Sequence, residues 1–235
     1  MSNSFITETY IMTHQQHLNI IFDLDGTLLN TLDDLTASTN HALQFCGYPT
    51  HTTQEVRLMV GNGIAKLIER AVPQGTSEAS ILHCLDIFRQ HYTEHCLDRT
   101  LPYPGVTEML SELKRKHLGL AIVSNKLQPA VSELRERFFA DCINIAVGET
   151  EQVRRKPAPD MLLQVMRLMG TSEADTIYVG DSDVDILTAR NASLSCISVA
   201  WGFRDKDFLI RHGATTIAES PAQLLEIIEN LPPVI

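Results

Sequence analysis

The sequence predicts an α/β fold in which a parallel sheet carries helices on both faces and an all-helical segment is inserted after the first strand. Three observations lead there. Beyond Leu101, short apolar runs of strand type alternate with amphipathic helical stretches, a pattern that builds parallel pairs through right-handed crossovers. Between Leu32 and Arg99, apolar residues recur at helical spacing alone. Polar residues, carboxylates prominent among them, gather at the ends of three strand-type runs, where open parallel sheets bind their ligands.

In chain order, residues 1–17 are polar, contain no Lys or Arg and lack a long apolar centre, so they read as a loose tail rather than a secretory signal. Met12 offers an alternative start within them. The run Ile20-Ile21-Phe22 then passes into Asp23-Leu24-Asp25-Gly26-Thr27, the profile of a buried strand feeding a polar turn. Helical spacing marks Leu32, Leu35 and Leu43, then Val56, Met59, Val60, Ile64, Leu67 and Ile68, then Ile81, Leu82, Leu85 and Phe88. Gly47-Tyr48-Pro49 and Pro73-Gln74-Gly75 divide this stretch into three or so helices or helix pairs. Leu101-Pro102-Tyr103-Pro104-Gly105 is a linker, followed by an amphipathic helix over Val106–Lys116. Strands are expected at 120–123, 143–147, 177–179, 196–200 and 215–218, and helices at 129–138, 159–169, 185–191, 205–212 and 222–230. The expected organisation is a tail over 1–17, a core formed by 18–31 and 101–235, and a helical cap over 32–100.

Composition narrows the function. The 235 residues hold 19 Lys and Arg against 29 Asp and Glu, and the net charge of −10 disfavours a nucleic-acid or anionic-membrane surface. No run of apolar residues is long enough to span a bilayer. The five cysteines are scattered, odd in number and free of C-x-x-C spacing, which suits a reducing cytoplasm better than a disulfide framework or zinc ribbon. Both a monomer and a homodimer remain compatible with the chain.

The candidate chemistry starts at Asp23 and Asp25. On an extended backbone the two carboxylates would share a face and repel each other unless a cation or bound group lay between them. Gly26 permits the sharp bend that turns backbone N–H groups toward an anion, and Thr27 adds a hydroxyl. An Asp-rich turn closing a strand is the simpler alternative, yet it accounts for Asp25-Gly26 and not for Asp23. Phosphoryl transfer needs an in-line nucleophile, a cation, oxygen-binding donors and an acid for the leaving group. Asp23 suits the nucleophile, and Asp25 suits the acid that later activates water. Asp181 with Asp185 would complete an oxygen-only site fitted to Mg²⁺ rather than zinc. Ser124 and the backbone near Asn125 supply neutral donors, and Lys156, held before Pro157 in extended backbone, supplies fixed positive charge. Gly61-Asn62-Gly63 is either a turn opening a helix or a loop whose backbone approaches a ligand.

Phe22-Asp23-Leu24-Asp25-Gly26-Thr27, Ser124-Asn125-Lys126, Lys156-Pro157-Ala158-Pro159 and Val179-Gly180-Asp181-Ser182 with Asp185 together resemble the four motifs of the haloacid dehalogenase-like superfamily. Val60-Gly61-Asn62-Gly63-Ile64, with Arg57 ahead of it, and Val199-Ala200-Trp201-Gly202 resemble its phosphoglycolate phosphatase branch. The resemblance implies a Rossmann-like core, a helical cap, Mg²⁺ dependence and hydrolysis of a small phosphomonoester. It further implies that Asp23 and Asp181 bind the metal by carboxylate and Asp25 by its backbone carbonyl. The cap would close over the site and present Gly61, Asn62 and Gly63 to the far end of the substrate. A sugar-phosphate mutase or pyrophosphatase on the same core is the alternative enzyme, and a silent phospho-ligand-binding regulator the alternative of another class.

Two positions depart from the family pattern. Asn30-Thr31 stands where Asp-Ser is usual, and Asn191-Ala192-Ser193 stands where the helix after the fourth motif usually ends in Ala-Gly, which weakens a glycine helix stop. Asp183, an extra acid in the fourth motif, is expected to face solvent or adjust metal affinity. His91 and His95 with Cys96 have a spacing that could hold a metal, but without the glutamate of H-E-x-x-H they read as helix surface and packing. Trp201 reads as a packing residue at a strand end rather than a substrate contact.

Overall fold

The structure, a computed structural model, describes residues 18–61 and 63–231. The tail, Met12 and Asn62 therefore lie outside the described residues. At the centre is β1 (Asn19–Phe22), paired in parallel with β4 (Gly119–Leu127) on one side and β6 (Thr176–Gly180) on the other. Adding β5 (Ile145–Glu149), β7 (Ser195–Val199) and β8 (Ile217–Ala218) gives one sheet of order β5-β4-β1-β6-β7-β8, with every pair parallel.

The pleat decides which β1 side chain meets which layer. Ile20 and Phe22 join Leu110 and Leu113 of α5 (Val106–Arg115), Leu134 of α6 (Gln128–Phe139) and Leu224 of α10 (Pro221–Glu229). Ile21 faces the other way, into Leu162 and Val165 of α7 (Asp160–Met169) and Ala189 of α8 (Asp183–Asn191). Ile20, Ile21 and Phe22 are fully buried, each contributing about 1.5–3 kcal/mol of apolar burial. A strand apolar on both faces belongs in the middle of a covered parallel sheet.

The inserted segment forms four helices: α1 (Leu32–Phe45), α2 (Thr53–Met59), α3 (Ile64–Ala71) and α4 (Glu78–His95). They pack Leu43, Val56, Leu67, Ile68, Leu85 and Phe88 into a second hydrophobic cluster. α2 begins cleanly because Thr52 and Glu55 cap each other's backbone N–H groups. The chain enters and leaves the insert along a short antiparallel pair, β2 (Leu29–Asn30) with β3 (Leu101–Pro102). The buried Asp34 carboxylate accepts the N–H groups of Arg99 and Thr100 and the Thr100 hydroxyl, fastening α1 to the return strand.

Several sequence-based boundaries need correction. The stretch 101–105 is not wholly linker, since Leu101–Pro102 is β3, and two residues are too few to show alternation. Ser124, Asn125 and Lys126 do not follow the strand but form part of β4, in an irregular register between Val123 and Leu127. Conversely Asp23 lies just past β1 rather than within it, although its N–H still reaches the Val179 carbonyl at 2.8 Å. α8 starts two residues before Asp185, because Ser182 and Asp185 form its capping box. The short α9 (Lys206–Arg211) follows β7. Ser193 ends α8 with φ of 59°, donating its N–H to Arg190 while Leu194 donates to Ala189, so serine occupies the left-handed stop position that favours glycine.

Candidate active site

The loop after β1 is a tight turn around one carbonyl. Leu24 O accepts the N–H groups of Thr27, Leu28 and Leu29, and Gly26, at φ of 88°, donates to Leu29 O at 2.9 Å. Gly26 serves a second purpose, since a Cβ there would lie 2.3 Å from Asp181 Oδ2. Gly180 and Gly202 make comparable room: a Cβ on the first would collide with the Asp185 carboxylate, and on the second with Gly26 O and Asp181. Three glycines thus let carboxylates from separate strand ends converge. Asp23, Asp181 and Asp185 each offer an oxygen within 4.8 Å of the others, and all three are buried.

Lys156 sits at the middle of this cluster. Its Nζ donates to Asp23 Oδ1 at 2.7 Å, Asp185 Oδ1 at 2.7 Å and Tyr178 Oη at 2.9 Å, while Tyr178 donates to Asp185 Oδ1 at 2.8 Å. The Lys156 backbone lies at the start of a turn with a cis bond to Pro157. Asn125 grips that backbone from both sides, accepting the Lys156 N–H at 2.8 Å and donating to its carbonyl at 3.0 Å. The Asn125 side chain is thereby committed to holding Lys156, while the residue still lines the cavity.

Asp25 occupies a different environment. Its Oδ1 accepts Lys126 Nζ at 3.0 Å, and Ser124 Oγ stands 3.4 Å from its Oδ2. Lys126, 8% exposed, also contacts the Tyr92 hydroxyl, which comes from α4 in the cap.

Electrostatics follow from burial. With all three carboxylates ionised, the one Lys156 ammonium would leave an excess of two negative charges. Burial pushes Asp23 well above the usual carboxylate range; Lys156 opposes that shift, and Asp185 and Asp181 add to it. Asp181 is pushed up to about 7 by burial first and by Asp185 second, against the Phe203 N–H bond that lowers it. Burial favours a neutral Lys156, but Asp185 and Asp23 outweigh it and hold the ammonium charged. Oxygen-only donors with uncompensated negative charge fit a hard divalent cation of the Mg²⁺ type. Asp23 Oδ2 has no protein donor among the described residues, and Asp181 keeps Oδ1 beyond the Phe203 bond. Asp185 is the most committed of the three: Oδ1 serves Lys156 and Tyr178, and Oδ2 serves the Ser182 N–H and hydroxyl.

A cavity of about 110 Å³ opens between this floor and the cap. Asp23, Asp25, Asp181, Ser124, Asn125 and Lys156 line the core side, and Leu35, Val60, Gly61, Gly63, Ile64 and Leu67 line the cap side. Gly61 at φ of 125° and Gly63 at 84° both occupy backbone space that disfavours a side chain. Thr27 does not line the cavity; its side chain is fully buried in the turn and its carbonyl accepts Trp201 Nε1 at 3.0 Å. Trp201 packs against the main core, as a strand-end packing residue would. Asp185 stands behind the cavity wall, and Asp183 stays outside the carboxylate trio.

Among the described residues, only the acidic trio groups as candidate metal ligands. His91 stacks between His41 and His95, with Nδ1 2.9 Å from Ser38 Oγ, and Cys96 is buried in the cap cluster. The sequence by itself assigns no role to Lys126, Tyr92, Tyr178 or Arg204. Lys126 was visible inside a motif, whereas Tyr92 meets it across 34 residues of chain and left no local signal.

Residues 20–199 match the haloacid dehalogenase-like hydrolase family. The phosphoglycolate phosphatase of Vibrio parahaemolyticus is 32% identical over 228 residues, covering 92% of this chain and 98% of that protein. That of Pseudomonas syringae pv. tomato is 32% identical over 224 residues, covering 91% of this chain and 78% of the relative. A solved structure from Lactobacillus delbrueckii subsp. bulgaricus, assigned as a phosphoglycolate phosphatase, superposes with a TM-score of 0.87 at 33% identity, covering 90% of this chain and 98% of its own. The sheet order, the helical insert and these matches converge: the chain belongs to the haloacid dehalogenase-like hydrolases and is an enzyme of their phosphoglycolate phosphatase-like branch.

Proposed function

We propose that the chain hydrolyses a small phosphomonoester, 2-phosphoglycolate or a close analogue, with Mg²⁺ and through an aspartyl-phosphate on Asp23. The observation that carries this reading is the division of labour at one cavity. Asp23 stands with Lys156 and Asp181 on one flank, and Asp25 stands with Lys126 and Ser124 on the other. Lys156 takes Asp23 Oδ1, leaving Oδ2 to attack phosphorus. As the P–O bond to the alcohol breaks, Asp25 gives its proton to the leaving oxygen, and then takes a proton from the water that cleaves the acyl-phosphate. Asp23 and Asp181 would hold the cation by carboxylate and Asp25 by its backbone carbonyl, with Asp185 behind them. Bound there, Mg²⁺ would neutralise charge on the phosphoryl oxygens. Ser124 Oγ and the glycine-lined cap loop would meet the remaining substrate oxygens.

Arg204 favours a substrate with a second negative group. It lines the cavity without a carboxylate in ion-pair distance among the described residues, and while its Nη atoms hold Arg57 O and Val60 O, its buried Nε has no protein partner there. The five free thiols fit a cytoplasmic location. The test is phosphate release from two-carbon, sugar and nucleotide monoesters and from pyrophosphate, with and without Mg²⁺. Mg²⁺-dependent release from the two-carbon acid supports the reading; release from pyrophosphate alone, or from nothing, overturns it.

A further inference from the structure

The segment Trp201–Arg204, between β7 and α9, touches three parts of the molecule within four residues. Trp201 is fixed to the Thr27 carbonyl, and Gly202 lies against Gly26 O and Asp181 so closely that a Cβ would stand 2.1 Å from the former. Phe203 has a double attachment. Its N–H donates to Asp181 Oδ2 at 2.6 Å, while its ring, 6% exposed, is buried in the cap's hydrophobic cluster and not in the core's. Arginines then cross the boundary in both directions. Arg57 of α2 donates from Nε to Phe203 O at 2.8 Å and from Nη2 to Gly202 O at 3.1 Å. Arg204 answers from Nη1 to Arg57 O at 2.9 Å and from Nη2 to Val60 O at 2.5 Å. The peptide units carrying Phe203 are therefore held by the cap on their carbonyl side and hold Asp181 on their N–H side.

We infer that Arg57 and Phe203 are positioning residues through which the seating of the cap sets the Asp181 carboxylate for its cation. This rests on the reading of Asp181 as a cation ligand. Neither residue touches the cation; each acts through the Phe203 N–H, which fixes Asp181 Oδ2 and with it the direction of Oδ1. Because the link is a contiguous chain of hydrogen bonds, it works both ways: a well-seated cap raises cation affinity, and a bound cation steadies α2. Val60, the last residue before the Gly61 turn, is one of the gripped carbonyls, so the same contacts govern the cap loop that faces the cavity.

Calorimetric titration of Mg²⁺ into the full-length protein, without substrate, tests this. Arg57→Ala should raise the Mg²⁺ dissociation constant about 5- to 10-fold, and Arg57→Lys, which keeps one donor, should fall between. Arg70→Ala is the control. Arg70 bonds the Met59 and Gly61 carbonyls within the cap and does not reach the 201–204 segment, so affinity should stay within about 2-fold of the parent. In the unaltered protein, Mg²⁺ should also slow amide exchange across 56–60, and Arg57→Ala should abolish that slowing. Equal affinity in the parent and folded Arg57→Ala overturns the inference alone. Exchange in α2 that ignores Mg²⁺ in the unaltered protein overturns it even if the variant fails to fold. No Mg²⁺ binding by the unaltered protein overturns the reading of Asp181 and this inference with it.

Discussion

Two buried lysines flank the cavity, and their surroundings differ in kind. Lys156 is enclosed by core residues alone, with Asp23, Asp185 and Tyr178 as partners and Asn125 clamping its backbone. Lys126 is shared: Asp25 holds it from the core and Tyr92 from the cap. The surroundings of Lys156 are thus complete without the cap, whereas those of Lys126 are completed by it. On the proposed roles, attack by Asp23 draws on a lysine that the core alone fixes, and proton transfer at Asp25 on a lysine that the cap helps to hold.

The largest expected effect tests the first flank. Asp23→Asn should lower turnover by about 10⁴-fold or more, measured by phosphate release together with a search for labelled acyl-phosphate. Substantial residual turnover would remove Asp23 from its role. Lys156→Ala comes next. It leaves two carboxylates without their buried counter-ion and should cost about 3–5 kcal/mol of stability in denaturant unfolding. A loss under about 1 kcal/mol would mean the ion pair is solvent-compensated. Tyr92→Phe tests the second flank. It removes one hydroxyl contact to Lys126 and should reduce kcat/KM several-fold, with about 1 kcal/mol or less of stability lost. An effect as large as that of Asp23→Asn would erase the distinction between the flanks.

The pH dependence of the metal-free protein sharpens the contrast. Burial raises both Asp23 and Asp181, the latter from 3.8 to about 7, so the folded state retains protons that the unfolded chain has released. The stability Asp181 contributes in this way is full below pH 3.8 and is lost as pH rises through about 7, and Asp23 acts in the same direction. The melting temperature without Mg²⁺ should therefore fall between pH 5 and 8, and Mg²⁺ should raise it most at pH 8. A metal-free profile that rises over this interval would contradict the raised carboxylates. The smallest effect lies away from the cavity: Ser193→Gly should stabilise by about 0.5–1 kcal/mol by relieving the left-handed helix stop.

What the sequence made legible was local. The apolar run into Asp23 and Asp25, the glycine before Asp181 and the alternation of strands and helices all lie within short windows, and they located the sheet and the acidic cluster. Contacts made across the cavity left no such trace. Tyr92 is one aromatic residue on a helix and Phe203 directly follows Val199-Ala200-Trp201-Gly202, so neither carries a local sign of its partner across the cavity. Ser124-Asn125-Lys126 read as loop because polar residues at a strand end resemble a turn when the site they face is not yet known. Thr27 shows the opposite case: a hydroxyl beside Gly26 suggests a phosphate donor, but in the structure its side chain is fully buried and lines no part of the cavity.

The two-residue ladder between β2 and β3 has a consequence for engineering. Since the outgoing and returning chains run side by side at Leu29–Asn30 and Leu101–Pro102, everything strung between them is a cassette with adjacent ends. A foreign helical module with the same end-to-end spacing could be spliced there without shifting a strand of the sheet, provided it brought its own counterparts of Tyr92 and Arg57.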